Sequence, residues 1–285
     1  MFTVDLLLAS DEDEISEAPD RNIPLEEQEW NPDWNASLSP YGRMALAIRE
    51  NRWMHAETEH YVLHFRRKTE ARKVARELEF NFWHIATTLN AKPDQYSGKG
   101  HAFIFEDADD WKVFLEKSQL PPWSDSLAIG DDLYLNVRHT AKVRRFNSGT
   151  LAHEASHAVV ARLYPNQTWP LWLNEGFAEF MGADSVAARR HRTTKSQLSK
   201  LDFATLSLEE ITSILTYPED QELLARFYQS SDRLIRFLMI ELPPENFPLF
   251  VDAILNGTAF EEAILSVYGE NYTDFEKFRD DFNKF

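Results

Sequence analysis

His153-Glu154-Ala155-Ser156-His157, inside the run from Thr150 to Ala161, decides how the rest of the chain reads. Leu151, Ala155, Ala158 and Val159 recur at helical spacing. The run therefore predicts a helix packed into a core, capped by Asn147 or Ser148 and ended by Pro165 with Asn166. Histidines four apart on a helix sit ~40° apart around its axis and ~6 Å along it, so both imidazoles can face one ion. Zinc takes such nitrogens and, in hydrolytic sites, usually keeps one of its four positions open for water. Glu154 lies close enough to take a proton from that water but is not placed to bind the ion itself.

A second helix follows. Pro170 suits its first position, with Thr168 or Trp169 as the cap. The segment Trp172-Leu173-Asn174-Glu175-Gly176-Phe177-Ala178-Glu179-Phe180 sets two carboxylates four apart on one face of an otherwise apolar helix, where acidic groups are rarely left unpaired. Glu175, eighteen residues after His157, is assigned as the third metal ligand. Glu179, one turn on, is placed to accept a hydrogen bond from the outer nitrogen of His153, and Asn174 is given a similar supporting role. Such groups orient a metal-bound ring and raise its basicity. The expected cofactor is one zinc ion per chain.

The pattern His-Glu-x-x-His, the eighteen-residue spacing and the string WLNEGFAE together resemble the gluzincin branch of zinc metallopeptidases. In that branch two histidines and a downstream glutamate bind zinc. WLNEGFA is similar to the string of the M1 aminopeptidase family, but those enzymes are far longer. This chain also lacks the Gly-Ala-Met-Glu-Asn motif that marks their exopeptidase anchor. From about Glu59 onward it looks closer to the short peptidase MA-like proteins, including a Tyr-x-x-Ser helix after the metal helices. The metzincin extension is missing, since Val160 and Leu163 stand where its glycine and third histidine would fall. The resemblance implies an α+β lobe followed by an all-helical lobe, zincin-like, with the metal between them. It also implies a tyrosine that stabilises the oxyanion, and Tyr228 is the candidate; a core tyrosine with a satisfied hydroxyl fits that position at least as well. It further implies that the strand Leu133 to Val137 is the sheet edge on which an extended substrate pairs, although an ordinary strand accounts for it equally.

Composition narrows the partners. A formal charge of -17 argues against nucleic acid, whose phosphates need a basic footprint. Residues 1–30 hold ten acidic residues and one basic one, over half of that net charge, so 1–35 is expected as an acidic, loosely draped tail. There is no cysteine, hence no disulfide and no thiolate ligand. Leu6-Leu7-Leu8-Ala9 is too short for a membrane span and lacks the basic flank of a signal peptide. The default expectation is cytoplasmic, or exported if this is a processed form. A peptide or protein is the expected substrate, and the oligomeric state is left open.

Alternation and periodicity outline the remainder. Strands are expected at His60–Phe65, Gly100–Phe105, Leu127–Gly130 and Leu133–Val137. Helices are expected at Tyr41–Arg52, Thr69–Leu89, Asp109–Lys117, Glu222–Leu242, Glu245–Asn256, Thr258–Tyr268 and Thr273–Lys284. Two units follow the tail, an α+β lobe over 36–184 and a helical lobe over 185–285. His55, His60 and His64 form a second cluster, with His60 and His64 on one strand face, and read as packing or surface histidines rather than a metal site. Arg189-Arg190-His191-Arg192 reads as a solvated basic turn, and Trp169 and Trp172 as core.

Two functions are compatible with this reading. One is a zinc peptidase in which Glu154 is the general base. The alternative is an inactive zincin-fold binding or structural protein. Glu154 favours the enzyme, because metal binding does not need it and hydrolysis does.

Overall fold

Side chains alternate across strands, and here the alternation feeds two separate cores. The computed structural model describes residues 23–92, 95, 96, 98–137, 148–192, 194 and 204–285. Its strands are β1 (Glu27–Gln28), β2 (Met54–Glu57), β3 (Tyr61–Phe65), β4 (Gly100–Phe105), β5 (Ser126–Ile129) and β6 (Asp132–Asn136). They form one mixed sheet in the order β1-β2-β3-β4-β6-β5. The central pairs β3/β4 and β4/β6 are parallel, and the outer pairs are antiparallel. Leu63, Phe65, Ala102, Ile104, Leu133 and Leu135 enter the larger core, against α2 (Lys68–Thr88) and α4 (Ser148–Leu163). Phe103, Phe105 and Tyr134 point the other way, into a smaller core with α1 (Pro40–Leu46) and α3 (Ala108–Ser118).

The protein is α+β. After β6 the described residues contain helices and no strand: α4, α5 (Leu171–Arg189), α6 (Leu208–Ser213), α7 (Gln221–Arg236), α8 (Phe247–Leu255), α9 (Phe260–Val267) and α10 (Phe275–Lys284). Local signals set their ends. Ser207 and Glu210 form a reciprocal capping box on α6, Asp220 caps α7 through Leu223 N–H, and Asp274 caps α10. The single helix expected over Glu222–Leu242 is instead α7 followed by a wider π-helical turn, Phe237–Glu241, ahead of Pro243-Pro244. Residue 185 falls inside α5, and the larger core runs without a break from Leu25 to Phe282. Fully buried rings such as Phe82, Phe177, Phe227 and Phe247 each contribute on the order of 2–3 kcal/mol to it. No helix of the described residues is long and apolar enough to cross a membrane.

Two expectations change. Within the stretch expected as a tail, residues 1–22 lie outside the described residues, whereas 23–35 pack against the sheet. Leu25 and Trp34 are buried, β1 pairs with β2, and the Trp34 indole N–H donates to Glu57 Oε1 at 2.6 Å. Two tryptophans and a leucine outweigh the acidic composition there. The strand Leu133–Val137, observed as β6, is internal; among the described strands the edge is β5, which pairs with β6 alone.

The histidines also separate. His60 precedes β3 in a bend and turns away from His64; its Nδ1 lies 2.6 Å from Glu79 Oε2, and its ring stacks on Phe82. On the opposite side of the sheet, His64 Nδ1 meets His55 Nδ1 at 2.9 Å and His64 Nε2 meets His101 Nδ1 at 2.8 Å. His101 Nε2 then reaches Ser37 Oγ at 2.9 Å, and Trp30 and Trp34 pack over His55 and His64. Three neutral imidazoles can satisfy this chain, each giving one proton and accepting one. Burial, then His101 and His55, push His64 well below the usual range. Burial, helped by Arg162 and opposed by Asp131, lowers His101 to about 4. His55 is lowered by burial against the pull of Glu27.

These shifts set a pH dependence. The folded pKa values lie below the unfolded one, so between them the unfolded chain binds more protons. The stability supplied by the neutral chain is complete above about pH 6.5 and is lost as pH falls toward 4. Urea midpoints measured from pH 7 to pH 4.5 should fall more steeply for the wild type than for His101→Gln. Parallel slopes would show that the histidine chain contributes nothing to acid sensitivity.

Candidate metal centre

The site is built where α4 and α5 cross. Leu151, Ala152, Ala155, Ala158 and Val159 bury one face of α4, which leaves His153, Glu154 and His157 on the partly open side. The crossing is close because glycines line it. A methyl group at Gly182 would lie 3.1 Å from the Gly149 carbonyl oxygen and 3.7 Å from His153 Cβ. On the far side of α5, a methyl at Gly176 would lie 2.5 Å from the Ser231 carbonyl oxygen of α7. Gly176, between the two glutamates of the motif, thus lets α7 rest directly on α5. This contact carries Tyr228, one turn before Ser231, to the site.

Three ligand atoms converge. His153 Nε2 and His157 Nε2 are 3.2 Å apart, and Glu175 Oε2 is 3.8 Å from the first and 3.6 Å from the second. A tetrahedral ion with bonds of ~2.0–2.1 Å separates its ligands by about 3.3–3.4 Å, so the triangle is close to zinc's size. The outer nitrogens are occupied. His157 Nδ1 is 3.2 Å from Asn174 Oδ1, which can only accept, and His153 Nδ1 is 3.4 Å from Glu179 Oε1. A proton on each Nδ1 would serve these two oxygens and turn both Nε2 lone pairs inward, the tautomer a metal ligand requires. The donor set and its spacing fit zinc.

The electrostatics are those of a carboxylate-rich, partly dry site. Burial pushes Glu154 up to about 7, with Glu175 and Glu179 adding to the rise, while His157 and a hydrogen bond from the Ala128 backbone on β5 oppose it. Glu179 is raised to about 7, first by burial and then by Asp232 and Glu175. Burial works against the charge on Glu175, yet His157 and the Tyr217 hydroxyl hold it low. Burial and the neighbouring His157 lower His153 to about 4. His157 is raised, since Glu175 and Glu154 outweigh the opposing cost of its burial.

The structure thus gathers His153, Glu154, His157, Asn174, Glu175, Glu179 and Tyr228 in one place. Tyr228 is partly buried beside Glu175, and burial followed by Glu175 and Glu179 raises its pKa. Tyr217 joins them unforeseen: its hydroxyl donates to Glu175 Oε1 from the loop between α6 and α7. Nothing in Thr216-Tyr217-Pro218 relates it to the metal motif by spacing, so no local signal marks it. Trp169 and Trp172 are core, packed on Phe177 and on Phe250 with Phe260. Arg189 is tied into the fold by the Arg76 carbonyl, Glu77 and the face of Phe80.

A second group of ligand-type side chains, Glu59, His60 and Glu79, occurs among the described residues. There Glu79 already accepts from the backbone N–H and Nδ1 of His60, and Glu59 is exposed. No protein-family model matches the chain, and a search of curated proteins finds no match to it.

Two outcomes follow from this geometry. Glu175→Ala should nearly eliminate zinc binding, whereas Glu179→Ala should weaken it by roughly 10- to 100-fold, since it frees a ring without removing a ligand. Parallel titrations against a chromogenic chelator decide this, and a larger loss at Glu179 would move the third ligand by one turn. Gly176→Ala should cost about 1–3 kcal/mol in unfolding experiments by forcing α7 off α5. Unchanged stability would mean that the helices yield freely there.

Proposed function

We propose that this protein is a zinc-dependent peptidase of gluzincin type, acting on a peptide or protein substrate. The triangle of His153 Nε2, His157 Nε2 and Glu175 Oε2, with Glu154 on the adjacent turn, carries the proposal. Zinc, when bound, supplies Lewis acidity to the attacking water and to the scissile carbonyl.

The chain's own residues divide the remaining work. Glu154, held by the Ala128 backbone beside the ligand triangle, takes the proton as water attacks and passes it to the leaving amine. Tyr228 is assigned the oxyanion, to which its neutral phenol can donate. The edge strand β5, whose Ala128 N–H bonds to Glu154, offers an extended substrate a backbone to pair with. This role passes to β5 from the strand expected before the metal helix.

Glu154→Gln should keep one zinc per chain and the wild-type unfolding curve. It should lose hydrolysis of an unstructured protein by at least about 10²-fold, since the amide cannot accept the proton. A chelator should abolish wild-type cleavage and added zinc restore it. An active Glu154→Gln enzyme would assign the proton transfer to another group. A zinc-loaded wild type that cleaves no member of a proteome-derived peptide library would instead favour a binding protein.

A further inference from the structure

Two phenols reach the same carboxylate. Tyr228 approaches Glu175 from helix α7, and Tyr217 approaches it from the connecting loop Ile214–Asp220. Their settings differ. Tyr228 rides on a helix pinned to α5 through Gly176, whereas Tyr217 is 54% exposed and flanked by Leu215 at 81%. The ring of Tyr217 stands open to solvent while its hydroxyl reaches a side chain that is 2% exposed. The oxygens of Glu175 are likewise distinct. Oε2 faces both imidazoles, and Oε1 receives the Tyr217 hydroxyl.

We propose that Tyr217 is a positioning residue: it holds Glu175 Oε1 so that Glu175 offers the metal only Oε2, and thereby leaves Tyr228 free for the oxyanion. The inference rests on the zinc-peptidase reading and adds the division of labour between the two tyrosines. Its physical basis is competition for one oxygen. A carboxylate whose second oxygen is unbonded can swing to bind an ion through both oxygens, adding a ligand that crowds the water. A phenol donating to Oε1 opposes that swing. It also meets the hydrogen-bonding need of a buried carboxylate, which Tyr228 would otherwise have to supply throughout the reaction.

The test uses the whole protein loaded with cobalt(II), whose visible bands report coordination number, together with zinc titration. Tyr217→Phe keeps the ring and removes the hydroxyl. It should weaken zinc binding by about 10-fold and lower the intensity of the cobalt bands as a four-coordinate ion becomes five-coordinate. Tyr228→Phe should leave both readouts near wild type while lowering kcat. A Tyr217→Phe protein with wild-type cobalt spectrum and zinc affinity would overturn the proposal. Equal perturbation of the metal by both variants would overturn the division of labour. A wild-type protein that takes up neither metal would instead bring down the underlying reading, and the inference with it.

Discussion

The close approach of two helices, α4 and α7, to α5 is the constraint on which the site depends. α5 meets α4 across Gly182 and Gly149, and meets α7 across Gly176. At Gly176 a side chain would collide with backbone rather than with a movable neighbour, and at Gly182 it would press on the Gly149 carbonyl. The spacing between helices is therefore fixed by what is missing. This places two carboxylates of α5 within reach of two imidazoles of α4, and one tyrosine of α7 beside them. The surrounding aromatic packing, Trp169 on Phe177 and Trp172 on Phe250 and Phe260, then holds α5 in that slot.

Such a site opposes folding. His153, Glu154, His157 and Glu175 are largely withdrawn from water, and the carboxyls of Glu154 and neighbouring Glu179 are pushed up to about 7 by their surroundings. Asn174, Glu179 and Tyr217 limit the cost by giving buried polar atoms a partner. Asn174 and Glu179 also offer the outer nitrogen of each ring an oxygen. Organisation for chemistry and relief of a desolvation penalty are here one set of hydrogen bonds. The chain His55–His64–His101 on the other side of the sheet follows the same rule without a metal motif, because each ring satisfies its neighbour.

What the sequence discloses is local. Helical periodicity outlined α2, α4 and α10 to within a few residues and the start of α5, and alternation found β3 and β4. His153, His157, Glu175 and Glu179 converge because their spacing is that of two helix faces. Strand order was hidden, since it depends on partners far apart in the chain. Leu133–Val137 reads identically as an edge or an internal strand, and only the return of β5 along it makes it internal. β2 (Met54–Glu57) escaped because its alternation lasts only four residues and includes the poor strand formers Ala56 and Glu57, and His60 was misdirected by a bend that precedes its strand. Tyr217 lay beyond reach for a different reason: a loop residue has no period, and its role comes only from where the loop is held.

X-ray absorption at the zinc edge, on protein loaded with one equivalent of the metal, tests the central claim most directly. The account requires a low-coordinate ion with imidazole scattering from two rings and oxygen neighbours, at distances of ~2.0–2.2 Å. A six-coordinate, all-oxygen spectrum without imidazole scattering would contradict it, because the ion would then lie outside the triangle of His153, His157 and Glu175.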